Sequence, residues 1–180
     1  MLPSPQLGLT VRLVVMGVAG SGKTSVGERL AERYGARFVD ADEAHPEANV
    51  AKMSAGIPLT DLDRRPWLAQ LQRELADNDQ IVITCSALKR AYREQLRRAG
   101  DVRFIYLAVE PATALDRVSA RPDHFMGADM VASQFDTLEP PGGSETDVAL
   151  IDATADLDTV VAAAGEALDH GPGAAHGSER

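Results

Sequence analysis

Short apolar runs rich in β-branched residues recur along the chain. The first, Val11 to Met16, is typical of a strand buried on both faces of a parallel sheet, whereas a half-exposed strand would alternate apolar and polar residues. Similar runs predict strands at Ile81 to Thr84, Val102 to Val109 and Val148 to Ile151, with a shorter one at Arg37 to Val39. The pattern therefore predicts five strands.

Apolar residues at helical spacing lie between these runs. Val26, Leu30 and Tyr34 recur every four residues, and Gly35 directly after them is a typical helix stop. Two further stripes predict amphipathic helices. They comprise Trp67, Leu68, Leu71 and Leu75, and then Leu157, Val160, Val161, Ala164 and Leu168.

The alternation of strands and helices predicts an α/β fold of three layers, with a doubly wound parallel sheet of five strands and right-handed crossovers. A chain of 180 residues with 44% hydrophobic and 25% charged residues is typical of one globular domain, which we expect to span residues 11–170. Residues 1–10 and 171–180 are rich in glycine, proline and small residues, so we expect both ends to be mobile.

The charge balance and the apolar runs argue against several partners. A net charge of −9 would repel a polyanion and no basic stripe is present, so nucleic acid is not expected to bind. No apolar run approaches the roughly 20 residues of a membrane helix. The chain has a single cysteine, Cys85, and no signal-like start, so we expect a cytoplasmic protein.

Residues 17–24 follow the first predicted strand, open the first helix and match the phosphate-loop pattern G-x-x-x-x-G-K-[ST]. In such a loop the glycines turn backbone N–H groups toward phosphate, Lys23 reaches the β- and γ-phosphates, and Thr24 offers its hydroxyl to Mg²⁺. A glycine-rich turn with a solvated lysine is the alternative, but motif and flanking elements agree on nucleotide binding. The residues are Gly17, Val18, Ala19, Gly20, Ser21, Gly22, Lys23 and Thr24.

Two acids end the second predicted strand. Asp40 and Asp42 lie at its carboxyl end, where ligands bind in open α/β sheets, and residues two apart share a strand face. One carboxylate could hold the metal's water shell while the other orients and deprotonates an acceptor hydroxyl. An aspartate-rich turn is the structural alternative. The preceding phosphate loop favours the catalytic interpretation.

Two basic positions are candidates for an anionic substrate. Arg64 lies near the start of the Trp67 helix, which Asp61 or Asp63 could cap, and its guanidinium could grip a carboxylate or phosphate. Lys89 or Arg90, which follow the strand that ends at Thr84, could contact an anion there, whereas the nearby Cys85 is expected to be a buried, inert thiol. Solvated basic side chains on amphipathic helices remain the alternative.

A lid is predicted at about residues 121–137. Arg117 and Arg121 lie near the end of a helix that starts at Pro111, and a short flap-like segment with His124 follows. A kinase must exclude water from the γ-phosphate, and arginines on a closing segment would also stabilise charge. Solvated arginines on a surface helix are the alternative, and His45 and His124 are each more typical of structural histidines than of ligands.

Beyond the phosphate loop, ordered motifs resemble those of the gluconokinase family. The sequence has D-A-D-x-x-H-P at 40–46, N-x-x-K-M-x-x-G-x-P-L-T-D-x-D-R-x-P-W-L at 49–68 and C-S-A-L-K-x-x-Y-R at 85–93. The resemblance continues through F-I-Y-L at 104–107, R-x-x-H-F at 121–125 and Q-F-x-T-L-E-P at 134–140. It covers about residues 11–153. Leu62 departs from it, because the family usually has an acidic residue there.

The resemblance implies a P-loop kinase, similar in fold to shikimate and adenylate kinases, that phosphorylates D-gluconate to 6-phosphogluconate with ATP and Mg²⁺. It implies catalytic roles for Lys23, Asp42 and Arg121, and a metal site at Thr24 and Asp40. Nucleotide contact is implied for Arg117, and substrate contact for Asp42, Arg64, Lys89, His124 and Gln134. A homodimer is left open.

Two other classes of function remain alternatives. A kinase of another small hydroxy acid such as shikimate would keep the phosphate loop and Arg64, but should not carry the H-P, K-M and P-W-L elements seen here. A non-catalytic nucleotide sensor would keep the loop and lose the acceptor acids, yet Asp40 and Asp42 are present.

Overall fold

The computed structural model describes residues 10–121 and 127–171, in which strands and helices alternate. The strands are β1 (Val11–Met16), β2 (Arg37–Asp40), β3 (Gln80–Thr84), β4 (Arg103–Ala108) and β5 (Val148–Asp152). The helices are α1 (Lys23–Tyr34), α2 (Glu47–Ser54), α3 (Asp61–Asp77), α4 (Arg90–Arg97), α5 (Pro111–Ser119), α6 (Ala128–Thr137) and α7 (Leu157–His170). All five predicted strands are confirmed to within a residue at each end.

The strands form one parallel sheet in the order β2-β3-β1-β4-β5. β1 is central: Val15 pairs with Thr84 of β3 on one side and with Ile105 of β4 on the other. The carboxyl ends of β1, β2 and β3 therefore lie side by side, and ligands bind at that edge of open α/β sheets. The predicted fold class is confirmed.

Alternate side chains of β1 enter two separate cores, so the sheet is buried on both faces. Val14 and Met16 pack with residues of α3 and α4, including Leu71 and Leu96. Leu13 and Val15 pack with residues of α1 and α7 on the opposite face. This three-layer arrangement explains why β1 lacks a polar and apolar alternation.

The helix ends confirm one capping prediction and correct another. Gly35 ends α1 in the left-handed conformation (φ 61°), and its N–H donates to the carbonyls of Ala31 and Glu32. Neither Asp61 nor Asp63 is the N-cap of α3, although Asp63 takes part in its capping box. The N-cap is Thr60, whose hydroxyl accepts from the Asp63 N–H at 3.2 Å while the Asp63 carboxylate accepts from the Thr60 N–H at 2.9 Å.

Some sequence expectations concern residues outside the described ranges. Nearly all of the two ends expected to be mobile, and residues 122–126 of the expected lid, fall there. Residues 128–137 of the expected lid form helix α6. Among the helices of residues 10–121 and 127–171, none combines the length and the apolarity that crossing a membrane requires.

Candidate active site

The phosphate loop connects β1 to α1, and its glycines are required by its shape. Gly17, Gly20 and Gly22 have φ values of 150°, 82° and 92°, which side-chain-bearing residues rarely adopt. A Cβ on Gly17 would also lie 2.9 Å from the carbonyl oxygen of Leu107. The Lys23 side chain is mostly buried and its Nζ donates to the Val18 carbonyl at 3.0 Å, so the loop's own backbone holds the ammonium over the loop.

Asp40 connects three elements at the carboxyl edge of the sheet. Its Oδ2 accepts from the Thr24 hydroxyl at 3.3 Å, and its Oδ1 accepts from the Thr84 hydroxyl at 3.2 Å and from the Asp42 N–H at 3.0 Å. The two oxygen-bearing groups predicted to serve the metal, on Thr24 and Asp40, therefore lie together beside the phosphate loop.

This pair fits Mg²⁺, which is bound through one or two protein oxygens with substrate phosphates and waters completing its shell. Within the described ranges no cluster of three or more histidine, cysteine, aspartate or glutamate side chains could hold a metal ion. Thr24 and Asp40 are hard oxygen donors next to the loop that would carry the phosphates, which matches the chemistry of a metal that arrives with the nucleotide.

Two cavities lie at this edge of the sheet. The larger, of about 300 Å³, is lined by the phosphate loop together with Asp40 and Arg121. The smaller, of about 60 Å³, is lined by Arg64, by the 58–59 segment and by Trp67. We call the residues that line both cavities the shared wall; they are Asp42, His45, Met53, Ser86 and Gln134.

Arg64 lines the smaller cavity, and contacts with neighbouring residues hold its guanidinium in place. Its Nη1 donates to the Leu59 carbonyl at 2.6 Å and to the Tyr92 hydroxyl at 3.3 Å, and its guanidinium carbon lies 5.5 Å from the centre of the Tyr92 ring. The Tyr92 hydroxyl in turn donates to the Asp61 carboxylate. These contacts leave the guanidinium in the cavity lining, where an anion could bind it.

Lys89 lies outside the lining of both cavities. Its Nζ pairs with the Asp61 carboxylate at 3.1 Å. Hydrogen bonds from Tyr92 and then from Lys89 lower the pKa of Asp61 below its ordinary value, so the carboxylate is charged at neutral pH. A role for Lys89 in substrate binding would require it to leave Asp61.

The candidate arginines and glutamine of the lid region lie in three different places. Arg117 braces the phosphate loop, because its guanidinium donates to the carbonyls of Gly20 at 3.4 Å and Ala153 at 2.8 Å. Arg121 lines the larger cavity. Gln134 lies in the shared wall, where its Oε1 accepts from the Ala19 N–H at 2.7 Å. His124 lies outside the described residues.

Cys85 is buried at the end of β3, as expected. Burial raises the pKa of its thiol to about 12, so the thiol stays protonated and is not a nucleophile.

Sequence reasoning missed the role of Arg93. Its buried guanidinium donates to the carbonyls of Ala87 at 3.0 Å and Glu139 at 3.1 Å, and forms a two-pronged pair with Glu145 at 2.7 and 2.8 Å. Ala87 has a φ of 44°, which is uncommon for a residue with a side chain. Arg93 therefore holds the tight loop that places Ser86 in the shared wall. Its motif was visible in the sequence, but its contacts with Glu139 and Glu145, about 50 residues away, were not.

A phosphate loop at the end of the central strand of a five-stranded parallel sheet, beside a second cavity lined by Asp42 and Arg64, defines the class of P-loop kinases. The family model described as shikimate kinase matches residues 19–164. A shikimate kinase structure from Aquifex aeolicus has a TM-score of 0.57 at 17% identity, covers 89% of this chain and 97% of that one, and shows the shared fold.

Closer similarities define the family. The gluconokinase of Gluconobacter oxydans is 49% identical over 78% of this chain and 82% of its own, and the thermoresistant gluconokinase of Escherichia coli is 41% identical over 88% and 93%. A gluconokinase structure from Sinorhizobium meliloti has a TM-score of 0.84 at 41% identity, covering 90% of this chain and 93% of that one. The chain belongs to the gluconokinase family.

Proposed function

We propose that this protein transfers the γ-phosphoryl group of ATP to D-gluconate in the presence of Mg²⁺, giving 6-phospho-D-gluconate. The observation that carries the proposal is the shared wall. It places Asp42 between the phosphate-loop cavity and a second cavity that contains Arg64. Donor phosphate and acceptor hydroxyl would meet at this wall, as in-line phosphoryl transfer requires.

On the donor side, backbone N–H groups of the phosphate loop and the start of α1 bind the triphosphate, and Lys23 neutralises its β- and γ-phosphates. Thr24 and Asp40 would hold Mg²⁺, which supplies further neutralisation of the phosphate charge when bound. Arg121, on the lining of the same cavity, is suited to stabilise charge on the transferring group. Arg117 acts through the loop backbone that it braces.

On the acceptor side, Asp42 receives the proton of the attacking hydroxyl, and Arg64 binds the carboxylate at the other end of the substrate. The Asp42 carboxylate is exposed to both cavities, so it can reach a hydroxyl that faces the donor phosphate. Arg64 is held by Leu59 and Tyr92, which reduces the entropy lost when it forms a charge-assisted pair. A substrate with an acidic group at one end and a primary hydroxyl at the other fits this arrangement.

The two alternative functions are less well supported. A nucleotide sensor does not need an acceptor cavity lined by Asp42 and Arg64. A shikimate-type kinase needs both residues, and so it is the alternative that an experiment must exclude. Identity of 41–49% to gluconokinases, against 17% to a shikimate kinase structure, favours gluconate.

The experiment is a steady-state assay of ADP release across a panel of acceptors: D-gluconate, shikimate, other sugar acids, and no acceptor. We expect Mg²⁺-dependent turnover with gluconate well above the rate without acceptor, and no turnover with shikimate. Turnover with shikimate alone would establish the alternative kinase, and ATP binding without turnover of any acceptor would establish the sensor. Lys23→Ala, purified identically, excludes a contaminating kinase.

We further propose that the protein acts in the cytoplasm, where ATP and Mg²⁺ are available and the single buried thiol of Cys85 stays reduced. Assembly as a homodimer stays a prediction, which light scattering of the purified protein tests.

A further inference from the structure

We propose that His45 recognises the acceptor: resting on Trp67 in the shared wall, its imidazole hydrogen-bonds one of the chain hydroxyls of an open-chain polyhydroxy acid. This inference rests on the proposed function, because it assigns a residue that selects among acids of similar size. The sequence favoured a structural role for this histidine, and the structure gives three reasons to assign it to the substrate instead.

The first reason is that the ring is held in place by a contact that uses none of its nitrogens. The imidazole stacks on the Trp67 indole with centroids 4.1 Å apart and an angle of 17° between the planes. Trp67 is itself fixed, because it is buried in the core and its Nε1 donates to the Ala41 carbonyl at 2.9 Å. A ring positioned by its face keeps both nitrogens out of the contact that holds it, and the residue lines both cavities.

The second reason is that neither ring nitrogen is hydrogen-bonded to a residue of the ranges 10–121 and 127–171. Nδ1 is buried without a partner, and Nε2 likewise has no hydrogen bond to any of the residues that the structure describes. A buried polar atom without a hydrogen-bond partner destabilises the folded state. For this reason, at least one nitrogen of a structural histidine is usually hydrogen-bonded to the backbone or to a carboxylate. The exposed His170 shows that ordinary pattern, with Nδ1 3.0 Å from the Glu166 carbonyl.

The third reason is location. His45 lines the smaller cavity together with Asp42 and Arg64. A substrate that places its carboxylate on Arg64 and its reacting hydroxyl near Asp42 must lay the intervening carbons between them. In a sugar acid those carbons carry hydroxyl groups, whereas in a simple hydroxy acid they do not. His45 is thus placed to distinguish the two classes of acid.

The protonation state of the ring suits this task. Burial lowers the pKa of His45 below its ordinary value and Arg64 lowers it further, while Asp42 opposes them. The neutral imidazole that results has one N–H donor and one acceptor nitrogen, which matches a hydroxyl group that can both accept and donate.

The test compares two variants on gluconate and on gluconates that lack one hydroxyl. His45→Phe keeps a flat ring on Trp67 and removes both nitrogens, whereas His45→Gln keeps hydrogen-bonding groups. We expect His45→Phe to lower kcat/KM for gluconate about 10-fold, the upper range for one hydrogen bond between neutral groups, and His45→Gln to retain most of it. One deoxygluconate should be a poorer substrate for the wild type yet be used equally by wild type and His45→Phe.

Melting temperature and ATP affinity, measured on each variant, separate a folding defect from a binding defect, and His170→Gln is the matched control outside the site. The proposal is overturned if His45→Phe lowers kcat/KM equally for gluconate and every deoxygluconate, which indicates a structural role, or if it changes nothing. Failure of the proposed function is separate, because it shows already in the wild type as absence of turnover with gluconate. If the wild type uses a different acid, the same comparison is made on that acid and its deoxy forms; if it uses none, the assignment of His45 fails as well.

Discussion

The side-chain oxygen of Gln134 accepts a 2.7 Å hydrogen bond from the backbone N–H of Ala19, although 115 residues separate the two in sequence. Ala19 belongs to the phosphate loop and Gln134 to α6, so the contact joins the described part of the expected lid to the loop. Gln134 also belongs to the shared wall. Movement of α6 would therefore be coupled to the backbone that holds the nucleotide.

Two substitutions of Gln134 test this coupling. Gln134→Ala removes the acceptor for Ala19 and should lower kcat/KM for ATP by about 10-fold, consistent with the loss of one positioning hydrogen bond near the reacting groups. Gln134→Glu keeps an acceptor oxygen but places negative charge beside the triphosphate, so the KM for ATP should rise more than in Gln134→Ala. Steady-state kinetics with ATP as the varied substrate measure both effects. Equal kinetics in wild type and both variants would show that the contact has no part in nucleotide binding.

Lys23→Ala should lower turnover by at least about 100-fold, because positioned charge on the transferring phosphoryl group supplies much of the catalysis in such sites. The melting temperature should change little, since the only hydrogen bond lost within the described residues is to the Val18 carbonyl. A folded variant with near-wild-type turnover would show that Lys23 is not the phosphate lysine.

Asp42→Asn and Arg64→Ala should change different kinetic parameters. Loss of general-base help costs about 10²- to 10⁴-fold and should lower kcat for Asp42→Asn, because the amide can still hydrogen-bond the bound substrate. Arg64 binds substrate in ground and transition states alike, so Arg64→Ala should raise the KM for gluconate first.

The KM for ATP is the internal control for this pair and should barely move in Arg64→Ala. If Asp42→Asn altered only the affinity for ATP, or if Arg64→Ala left the KM for gluconate unchanged, the acceptor site would lie elsewhere, and Asp40 and Lys89 would be tested next.

The buried pair of Arg93 and Glu145 predicts an acid-sensitive fold. The hydrogen bonds from Arg93, and then those from Arg97, lower the pKa of Glu145 from 4.5 to about 2. The unfolded chain takes up this proton first, so the stabilisation is complete above about pH 4.5 and is lost as the pH falls toward 2.

Glu145→Gln should therefore lower the free energy of unfolding by about 3 kcal/mol at pH 7, because it leaves the Arg93 charge without its buried partner, and the difference from wild type should shrink below pH 4. Urea titrations at several pH values measure both quantities. Glu94→Gln is the matched control, since Glu94 is half exposed and pairs only at the surface, with Arg90 and Arg97, where an ion pair contributes about 1 kcal/mol or less. A pH-independent difference between wild type and Glu145→Gln would contradict the account of this pair.

Local sequence patterns were sufficient to predict the fold and to locate the residues of the phosphate-loop side of the site. The strand at Val11 to Met16 and the phosphate loop after it are contiguous in sequence, so hydrophobic pattern and motif were enough to predict that Lys23 and Thr24 follow the first strand. The second predicted strand put Asp40 at the same edge of the sheet. The catalytic and metal-binding roles of these residues stay predictions. The capping of α3 is also encoded locally, in Thr60 and Asp63 three residues apart. Aspartate and threonine are both common N-caps, so the sequence alone does not indicate which of the neighbouring residues begins the helix.

Local patterns could not predict contacts between residues that are far apart in sequence. The stack of His45 on Trp67 joins residues 22 positions apart, and the ion pair of Arg93 with Glu145 joins residues 52 positions apart. Nothing local indicates that Lys89 pairs with Asp61 or that Gln134 reaches the phosphate loop. These contacts depend on the order of strands in the sheet and on the packing of helices above it, which one sequence does not specify residue by residue.

The most direct test of the central claim is the identity of the product. Wild-type protein, ATP, Mg²⁺ and D-gluconate are incubated and the mixture is followed by phosphorus NMR, with Asp42→Asn run in parallel. We predict that a phosphomonoester signal of 6-phosphogluconate grows in step with ADP, and that it grows at least about 100-fold more slowly with Asp42→Asn. Release of inorganic phosphate in step with ADP, with no phosphomonoester formed, would show that water is the acceptor and would contradict the assignment of this site to sugar-acid phosphorylation.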